Sequence, residues 1–338
     1  MSYYVGIDLH SNNNYIGIID EENRRVFKKK TINDLPEITK TLYPYKSQIQ
    51  GIVVESTFNW YWIVDGLMEA GYRVHLANPS AIKQYEGLKY TDDVWDSFWL
   101  AHLLRLGILP EGHIYPKEIR PIRDLLRKRL MLVHHKTAHI LSMQSMVSRN
   151  NGIQMDGNAI KTMNVKELSG LFTDEHLQMS ASCNYHAINF FSEQINKIEK
   201  AVLSKVKLQE VYKKLLTVPG IGKILAITIM LETGNINRFR EVGNYSSYCR
   251  CVSSTKFSNG RNKGKGNKKN GNRYLAWAYI EASLFARRYS PEANRWYQRK
   301  MSKSNRMIAL KALSNKLARA CYYIMRDKVP YDPAKIFH

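Results

Sequence analysis

Two periodicities divide this chain. In the first hundred residues, short apolar runs carry a period near two. "YYVGIDL" and "NYIGIID" read as strands separated by the turn-rich "HSNNN", and "RRVFKKKTI" as a third strand. "LPEITKTLYPY" has helical character, "GIVVEST" is an apolar β-branched strand, and "FNWYWIVDGLMEAG" is a helix closing on a glycine. "YRVHLANP" adds a strand, and a further helix is predicted over roughly 93–106. Three strands in succession followed by alternating helices and strands predict a mixed sheet with helices on its faces.

From about residue 117 the period shifts to 3–4. "KEIRPIRDLLRKRLMLVHHKTAHILSMQSMVSRN" is a long basic helical pattern, and 150–185 is polar and weakly patterned. Ile188, Phe191, Ile195, Ile198 and Val202 then recur at 3-4-3-4 spacing, a short coiled-coil seam. Such a seam serves packing inside one chain or contact between two chains. "LLTVPGIGKILAITIMLETGNINRF" opens a helix at Pro219, Gly220 and Gly222. Two more helices follow, "RYLAWAYIEASLFARRY" and "MIALKALSNKLARACYYIM", the second with Leu310, Leu313, Leu317 and Ile324 on one face. The expected class is α/β plus α. An α/β domain covers 1–115, a helical and coiled-coil region 116–206, and a mainly helical domain 207–338.

Charge sharpens that division. The chain has 338 residues and a formal net charge of +22. Residues 1–115 hold 11 Lys/Arg against 14 Asp/Glu, whereas 116–338 hold 40 against 15. A remainder this basic points to a polyphosphate partner, because cationic side chains displace condensed counterions from nucleic acid. No Lys-rich amphipathic helix with Trp, Phe or Leu opposite suggests a membrane surface. The run "ILAITIML" is far too short to cross a bilayer. No secretory signal is expected at the start. Cys183, Cys249, Cys251 and Cys321 form no C-x-x-C pair, so neither a zinc site nor a disulfide framework is indicated, and reduced thiols in the cytoplasm fit.

Two places can carry chemistry. Asp8 and Glu55 each close an apolar strand, and Asp93 and Asp96 stand three apart on one helix face. Four hard oxygen donors suit Mg²⁺, and two such ions can clamp a phosphodiester. The second place is "KFSNGRNKGKGNKKNGNR" at 256–273, with seven Lys or Arg, four Gly, five Asn and no acid. Lys256, Arg261, Lys263, Lys265, Lys268, Lys269 and Arg273 are its phosphate-neutralising side chains, and Ser258 is its one alcohol. By composition alone this stretch reads as a disordered basic loop. A third, weaker signal is Gly220, Gly222 and Lys223, where a glycine-rich turn aims backbone N–H groups at an anion, as in helix-hairpin-helix modules.

Taken together, "YVGIDLHSNNNYIGIID", "VVESTFNWYWIVDGLMEAGYRVHLANP", "GLKYTDDVWDSFWLAHLLRLGILPEG", "TVPGIGKILAITIMLETGNINRF" and "SNGRNKGKGNKKNGNRYLAWA" resemble the DEDD-type transposases of insertion sequences, recombinases guided by a bridge RNA. The motifs fall in that family's order over nearly the whole chain, most weakly at 150–185. The resemblance implies a RuvC-like, ribonuclease H-like N-terminal domain whose Mg²⁺ ligands map to Asp8, Glu55, Asp93 and Asp96. It implies a serine nucleophile, mapped to Ser258 by "SNG" and the following "GNRYL". It also implies a guide RNA, donor and target DNA, assembly as a dimer of dimers through the coiled coil, and a prokaryotic, nucleoid-associated protein. The chain departs from the pattern in Ser97 after Asp96, in the apolar pair Val94–Trp95, and in Asn259 where Gly is common. Asp92 beside Asp93 leaves the third ligand open, and Ser253 and Ser254 are rivals to Ser258. The competing functions are a metal-dependent nuclease resembling a Holliday-junction resolvase, in which water attacks, and a nucleic-acid-binding protein without catalysis.

Overall fold

The computed structural model describes residues 1–82, 92–206, 209–252, 255–265 and 270–337. The chain forms two compact units, Met1–Lys117 and Glu118–His338.

The first unit is built on a five-stranded sheet. Its strands are β1 (Tyr3–Leu9), β2 (Asn13–Asp20), β3 (Arg25–Ile32), β4 (Ile49–Glu55) and β5 (Val74–Ala77), in the order β3-β2-β1-β4-β5. The β1–β2 and β2–β3 pairs are antiparallel, and β1–β4 and β4–β5 are parallel. The sheet is therefore mixed, as the order of strands and helices predicts. Helices α1 (Leu35–Leu42) and α2 (Tyr61–Glu69) supply one face, and α3 (Asp93–Arg105) packs on β1, β2 and β4.

Strand alternation sorts the side chains between these layers. Val5, Ile7, Leu9, Ile52 and Val54 join the core that includes Ile38, Leu42 and Ile63 of α1 and α2. The intervening positions face α3: Val53 packs with Leu100 and Leu103, and Ile19 with Phe98 and Ala101. Asp8 and Glu55 have the parity of this second set, so the pattern that buries Ile7 and Val54 beneath α1 and α2 directs both carboxylates toward α3.

Two glycines decide how closely α3 can sit. Gly6 and Gly17 are direct cross-strand partners. A Cβ on Gly6 would overlap the carbonyl oxygen of Ser97, and one on Gly17 would stand 2.7 Å from the Ser97 hydroxyl oxygen. Helix α3 thus rests on bare backbone. Its first turn is fixed by Asp92, whose carboxylate accepts the Trp95 N–H at 2.7 Å.

The second unit begins with two 32-residue helices, α4 (Arg120–Asn151) and α7 (Glu175–Val206), which pack against each other. The coiled-coil spacing on α7 is used in this intramolecular contact, with Ile188, Ile195 and Val202 buried. The weakly patterned stretch between them contains α5 (Gly157–Thr162) and α6 (Val165–Ser169), the latter held by a reciprocal Asn164–Glu167 cap. The remaining elements are α8 (Glu210–Leu215), α9 (Lys223–Thr233), α10 (Val242–Tyr248), the strands β6 (Thr255–Ser258) and β7 (Arg261–Lys265), α11 (Arg273–Tyr289), α12 (Pro291–Ser302) and α13 (Arg306–Asp327). Leu126 of α4 and Val202 of α7 share one hydrophobic core with α9, α11 and α13.

A buried ion cluster crosses that core. Glu232 of α9, 2% exposed, accepts from Arg123 Nε at 3.0 Å, from Arg127 Nε at 2.5 Å and from Asn272 Nδ2 at 2.7 Å. Burial pushes the Glu232 carboxyl up, but the Arg127 hydrogen bonds and the two guanidinium charges outweigh it and hold it below the usual carboxylate range.

The glycine contact yields a ranked expectation. Overpacking costs about 1–3 kcal/mol and occasionally more. Gly6→Ala meets backbone, which cannot rotate away, so a loss of about 3 kcal/mol or more is expected. Gly17→Ala meets a side chain and is expected to cost less, about 1–2 kcal/mol. Urea denaturation followed by tryptophan fluorescence measures both. Equal or reversed penalties would show that α3 does not depend on the Gly6 contact.

Candidate metal centre and basic hairpin

Asp8, near the end of β1, is 2% exposed, and Glu55 is the last residue of β4. The Glu55 and Asp8 carboxyls interact directly, an interaction that raises Glu55 and lowers Asp8. Asp96 lies within electrostatic reach of Glu55, and Asp93 within reach of Asp8 and Asp96. Residues distant in sequence therefore converge where the ends of β1 and β4 meet the first turn of α3.

The cluster is electrostatically crowded. Burial, the Glu55–Asp8 hydrogen bond and the Asp8 charge push Glu55 up to about 8. Burial and the charges of Asp96 and Asp93 raise Asp8 to about 6, against the lowering effect of the Glu55 bond. Asp96 rises to about 6 through burial and the charges of Glu55, Asp93 and Asp92. Its Oδ1 is buried and has no hydrogen-bond partner among the described residues. Partly desolvated carboxylates that repel one another, with an acceptor atom left over, fit a hard divalent cation.

Asp92 and Asp93 do different things. The Asp92 carboxylate caps α3, whereas the Asp93 Oδ2 lies 3.4 Å from His10 Nε2. His10, to which residue spacing assigns no role, also reaches Asp8, with Nε2 3.2 Å from Oδ2. Asp8, His10 and Asp93 form a three-residue group whose donor atoms lie within 4.8 Å of one another. The available signal was the position of His10 just past the strand that carries Asp8, two residues along, where the alternating pattern places it on the same side.

The basic stretch is structured where it is described. Strands β6 and β7 pair antiparallel, with Ser258 opposite Arg261. The connection is Asn259–Gly260, with φ of 50° and 70°. Two consecutive left-handed residues suit a two-residue hairpin turn, for which Asn-Gly is the preferred pair. Ser258 therefore sits at a hairpin tip, exposed, with Arg261 and Lys263 exposed along β7. Lys256 lies in β6 and Lys265 in β7. Lys268 and Lys269 lie outside the described residues, as do the rival serines Ser253 and Ser254. Arg273 opens α11, exposed, its guanidinium 5.0 Å from the centre of the Tyr274 ring.

The roots of the hairpin segment are laced together. Asn272 N–H donates to the Tyr248 carbonyl at 2.6 Å, and Arg250 donates to the Gly271 carbonyl at 2.9 Å. Asn272 also caps α11, accepting from Tyr274 and Leu275 N–H, while its amide holds Glu232.

In the glycine-rich turn, Gly220 and Gly222 have separate roles. Gly220 has φ of +88°, and a Cβ there would overlap the backbone of Ala282 in α11, so it is a packing glycine. Gly222 is the N-terminal flanking residue of α9, open to solvent beside the exposed Lys223. No helix among the described residues is long and apolar enough to cross a membrane.

A transposase family model, DEDD type and named for IS110, matches residues 5–150, the stretch that contains all four acids. The protein is a transposase of the DEDD type. A second model, described as the transposase IS116/IS110/IS902 family, matches residues 212–298, which include the basic hairpin. The chain belongs to the IS110 family of insertion-sequence transposases. It is also similar to the transposase for insertion sequence element IS1328 of Yersinia enterocolitica, 20% identical over 341 residues covering 95% of this chain and 96% of the relative. Family membership makes it an enzyme that cuts and rejoins DNA, and its type implies use of a divalent metal.

The raised carboxyls set a pH dependence. Glu55 titrates near 4.5 ordinarily and at about 8 here, so between those values the folded state holds more protons than the unfolded chain. Asp8 and Asp96 act with the same sign between 3.8 and about 6. The ion-free protein is therefore expected to lose stability as pH rises through this window. A divalent ion competes with those protons, so its stabilising effect should grow with pH. Thermal unfolding from roughly pH 5 to 8.5, with chelator and with Mg²⁺, measures both trends. Parallel curves would rule out this cluster as the ion's site.

Proposed function

We propose that this transposase cuts and rejoins DNA through a phosphoserine intermediate formed on Ser258, assisted by Mg²⁺ at Asp8, Glu55, Asp93 and Asp96, with an RNA guide selecting donor and target. The observation that carries the reading is the pairing, in one chain, of a crowded carboxylate cluster with a serine at the tip of a basic hairpin.

When bound, the metal neutralises charge on the scissile phosphate and stabilises the leaving oxygen. The chain's residues do the rest. Asp8 and Glu55, set by strand alternation, and Asp93 and Asp96, set by the first turn of α3, hold the ligating oxygens. Exposed Arg261 and Lys263 neutralise neighbouring phosphates, and the turn at Asn259–Gly260 lets the backbone come close to the strand. Ser258 Oγ attacks phosphorus. The Oγ–P bond forms as the P–O bond to one deoxyribose breaks, and that oxygen leaves as a hydroxyl carrying a proton. Rejoining runs the step in reverse, with a hydroxyl from another strand attacking the phosphoserine and the proton returning to Ser258.

Guidance by RNA and assembly as a dimer of dimers rest on the family resemblance and on the basic balance of the second unit. Because α4 of the same chain covers the buried seam of α7, assembly draws on other faces.

Denaturing electrophoresis of labelled DNA tests the proposal. Wild-type protein with guide RNA, DNA and Mg²⁺ should yield a covalent protein–DNA band, and Ser258→Ala should abolish it while still binding both nucleic acids. Asp8→Ala should abolish cleavage with little loss of RNA binding. Cleavage by wild type without any adduct would favour attack by water, as in a resolvase-like nuclease. An adduct that survives Ser258→Ala and is lost in Ser253→Ala or Ser254→Ala would move the nucleophile.

A second measurement concerns the cations. If the basic surface neutralises about 6–10 phosphates, affinity for duplex DNA should fall roughly 10³–10⁵-fold between about 50 and 200 mM salt. Replacing Lys263, Lys265, Lys268 and Lys269 together should flatten that slope. An unchanged slope would mean that these lysines do not touch phosphate in the complex.

A further inference from the structure

We infer that His10 is a nitrogen donor to the divalent ion, beside Asp8 and Asp93, so that the centre is a mixed nitrogen–oxygen site and not an all-carboxylate one. This rests on the metal reading of the acid cluster.

The backbone of His10 is held on three sides. Its N–H donates to the Asn13 carbonyl at 2.9 Å, and its own carbonyl accepts from Asn33 Nδ2 at 2.9 Å and Asn59 Nδ2 at 3.1 Å. Asn59 lies in the segment that follows Glu55, so one turn fixes both His10 and the end of β4. The imidazole meets the Tyr15 ring edge to face, with centres 6.0 Å apart. The ring, its side chain 39% exposed, is flanked by Tyr15 on one side and by the two carboxylates on the other.

Its Nε2 is aimed into the cluster. That atom is shielded from solvent and lies 3.2 Å from Asp8 Oδ2 and 3.4 Å from Asp93 Oδ2, yet it makes no well-directed hydrogen bond to a described residue. An imidazole that served only as an ion-pair partner would turn its N–H along one of those lines. Donors at right angles about an octahedral Mg²⁺, each about 2.0–2.1 Å from it, stand about 2.9 Å apart. The two His10 separations exceed that by a few tenths of an ångström, which suits three donors facing a common point. Imidazole nitrogen is a better ligand for Mn²⁺ than for Mg²⁺, so a mixed set shifts the centre toward Mn²⁺ relative to carboxylates alone.

The test uses Mn²⁺ as both ligand and probe, on the full-length protein. Electron paramagnetic resonance first counts bound Mn²⁺, and pulsed measurements on the same sample detect nitrogen coupled to it. Wild type should show imidazole nitrogen coupling that disappears in His10→Ala, with Asp8→Asn abolishing the tight site. Loss of an outer-shell partner alone costs a metal site roughly 10–100-fold in affinity, so loss of this ligand should weaken Mn²⁺ binding at least about 10-fold. Mg²⁺ binding, read by competition, should weaken less. Tightly bound Mn²⁺ with no nitrogen coupling in wild type would overturn the assignment of His10 while leaving the carboxylate centre intact. Absence of any tight Mn²⁺ site would instead overturn the metal reading itself. Neither outcome depends on the variants, because the wild-type spectrum separates the two.

Discussion

The closeness of α3 to the sheet governs the carboxylate cluster. Where Gly6 and Gly17 face each other across β1 and β2, the sheet has no side chains to hold the helix away, and the Ser97 backbone settles onto Gly6. The carboxylates of Asp93 and Asp96, at the start of the same helix, are brought as a consequence to the ends of β1 and β4. An alanine layer there would lift the helix, and the acids would separate into ordinary solvated side chains. The glycine pair is thus a geometric condition for the charge cluster, although neither glycine touches it.

That closeness has an electrostatic consequence. Burial and mutual charge raise Glu55, Asp8 and Asp96 above the usual carboxylate range. Folding alone does not favour the arrangement, since like charges in a partly buried place repel. The hydrophobic layers on either side of the sheet hold the acids against that repulsion, with Ile7 and Val54 fully buried next to Asp8 and Glu55 in sequence. The same apolar strands that stabilise the unit therefore also enforce its charge crowding, which a bound cation would relieve.

Much of the first unit was legible because its strands are short apolar runs set off by turn residues. The mixed sheet and the end-of-strand placement of Asp8 and Glu55 follow from those runs, and the shared helix face of Asp93 and Asp96 follows from their spacing of three. Gly6 and Gly17 were not legible as a pair, because register is a property of the folded sheet. His10 is less legible: strand alternation carried two residues past Asp8 puts it on the same side, but a histidine at a strand end is not by itself a sign of a ligand. In the second unit, the composition of 256–273 masked local chemistry. Its Lys, Gly and Asn content reads as disorder, yet Asn259–Gly260 between Ser258 and Arg261 is a specific hairpin turn. The short helices at 157–169 were hidden because one turn or two of helix offers too few positions for a period to show. The α7 seam illustrates a different limit: spacing identifies a buried face, and only the structure shows that α4 of the same chain covers it.

The second unit sets a flexible composition beside fixed backbone. Lys, Gly and Asn dominate 256–273, yet the residues described around the two ends of that stretch are tied together, Arg250 to the Gly271 carbonyl and Asn272 to Tyr248. Asn272 joins three constraints at one residue: its backbone N–H donates to the Tyr248 carbonyl, its Oδ1 caps α11, and its Nδ2 donates to the buried Glu232. Glu232 is in turn fixed by Arg123 and Arg127 from α4, so the long helix, α9 and the start of α11 meet at one buried carboxylate. A buried charge cluster of this kind contributes little net stability compared with apolar packing, but it admits one geometry and penalises others strongly. Its value at this position is orientation, because it fixes how α4, α9 and the start of α11 meet.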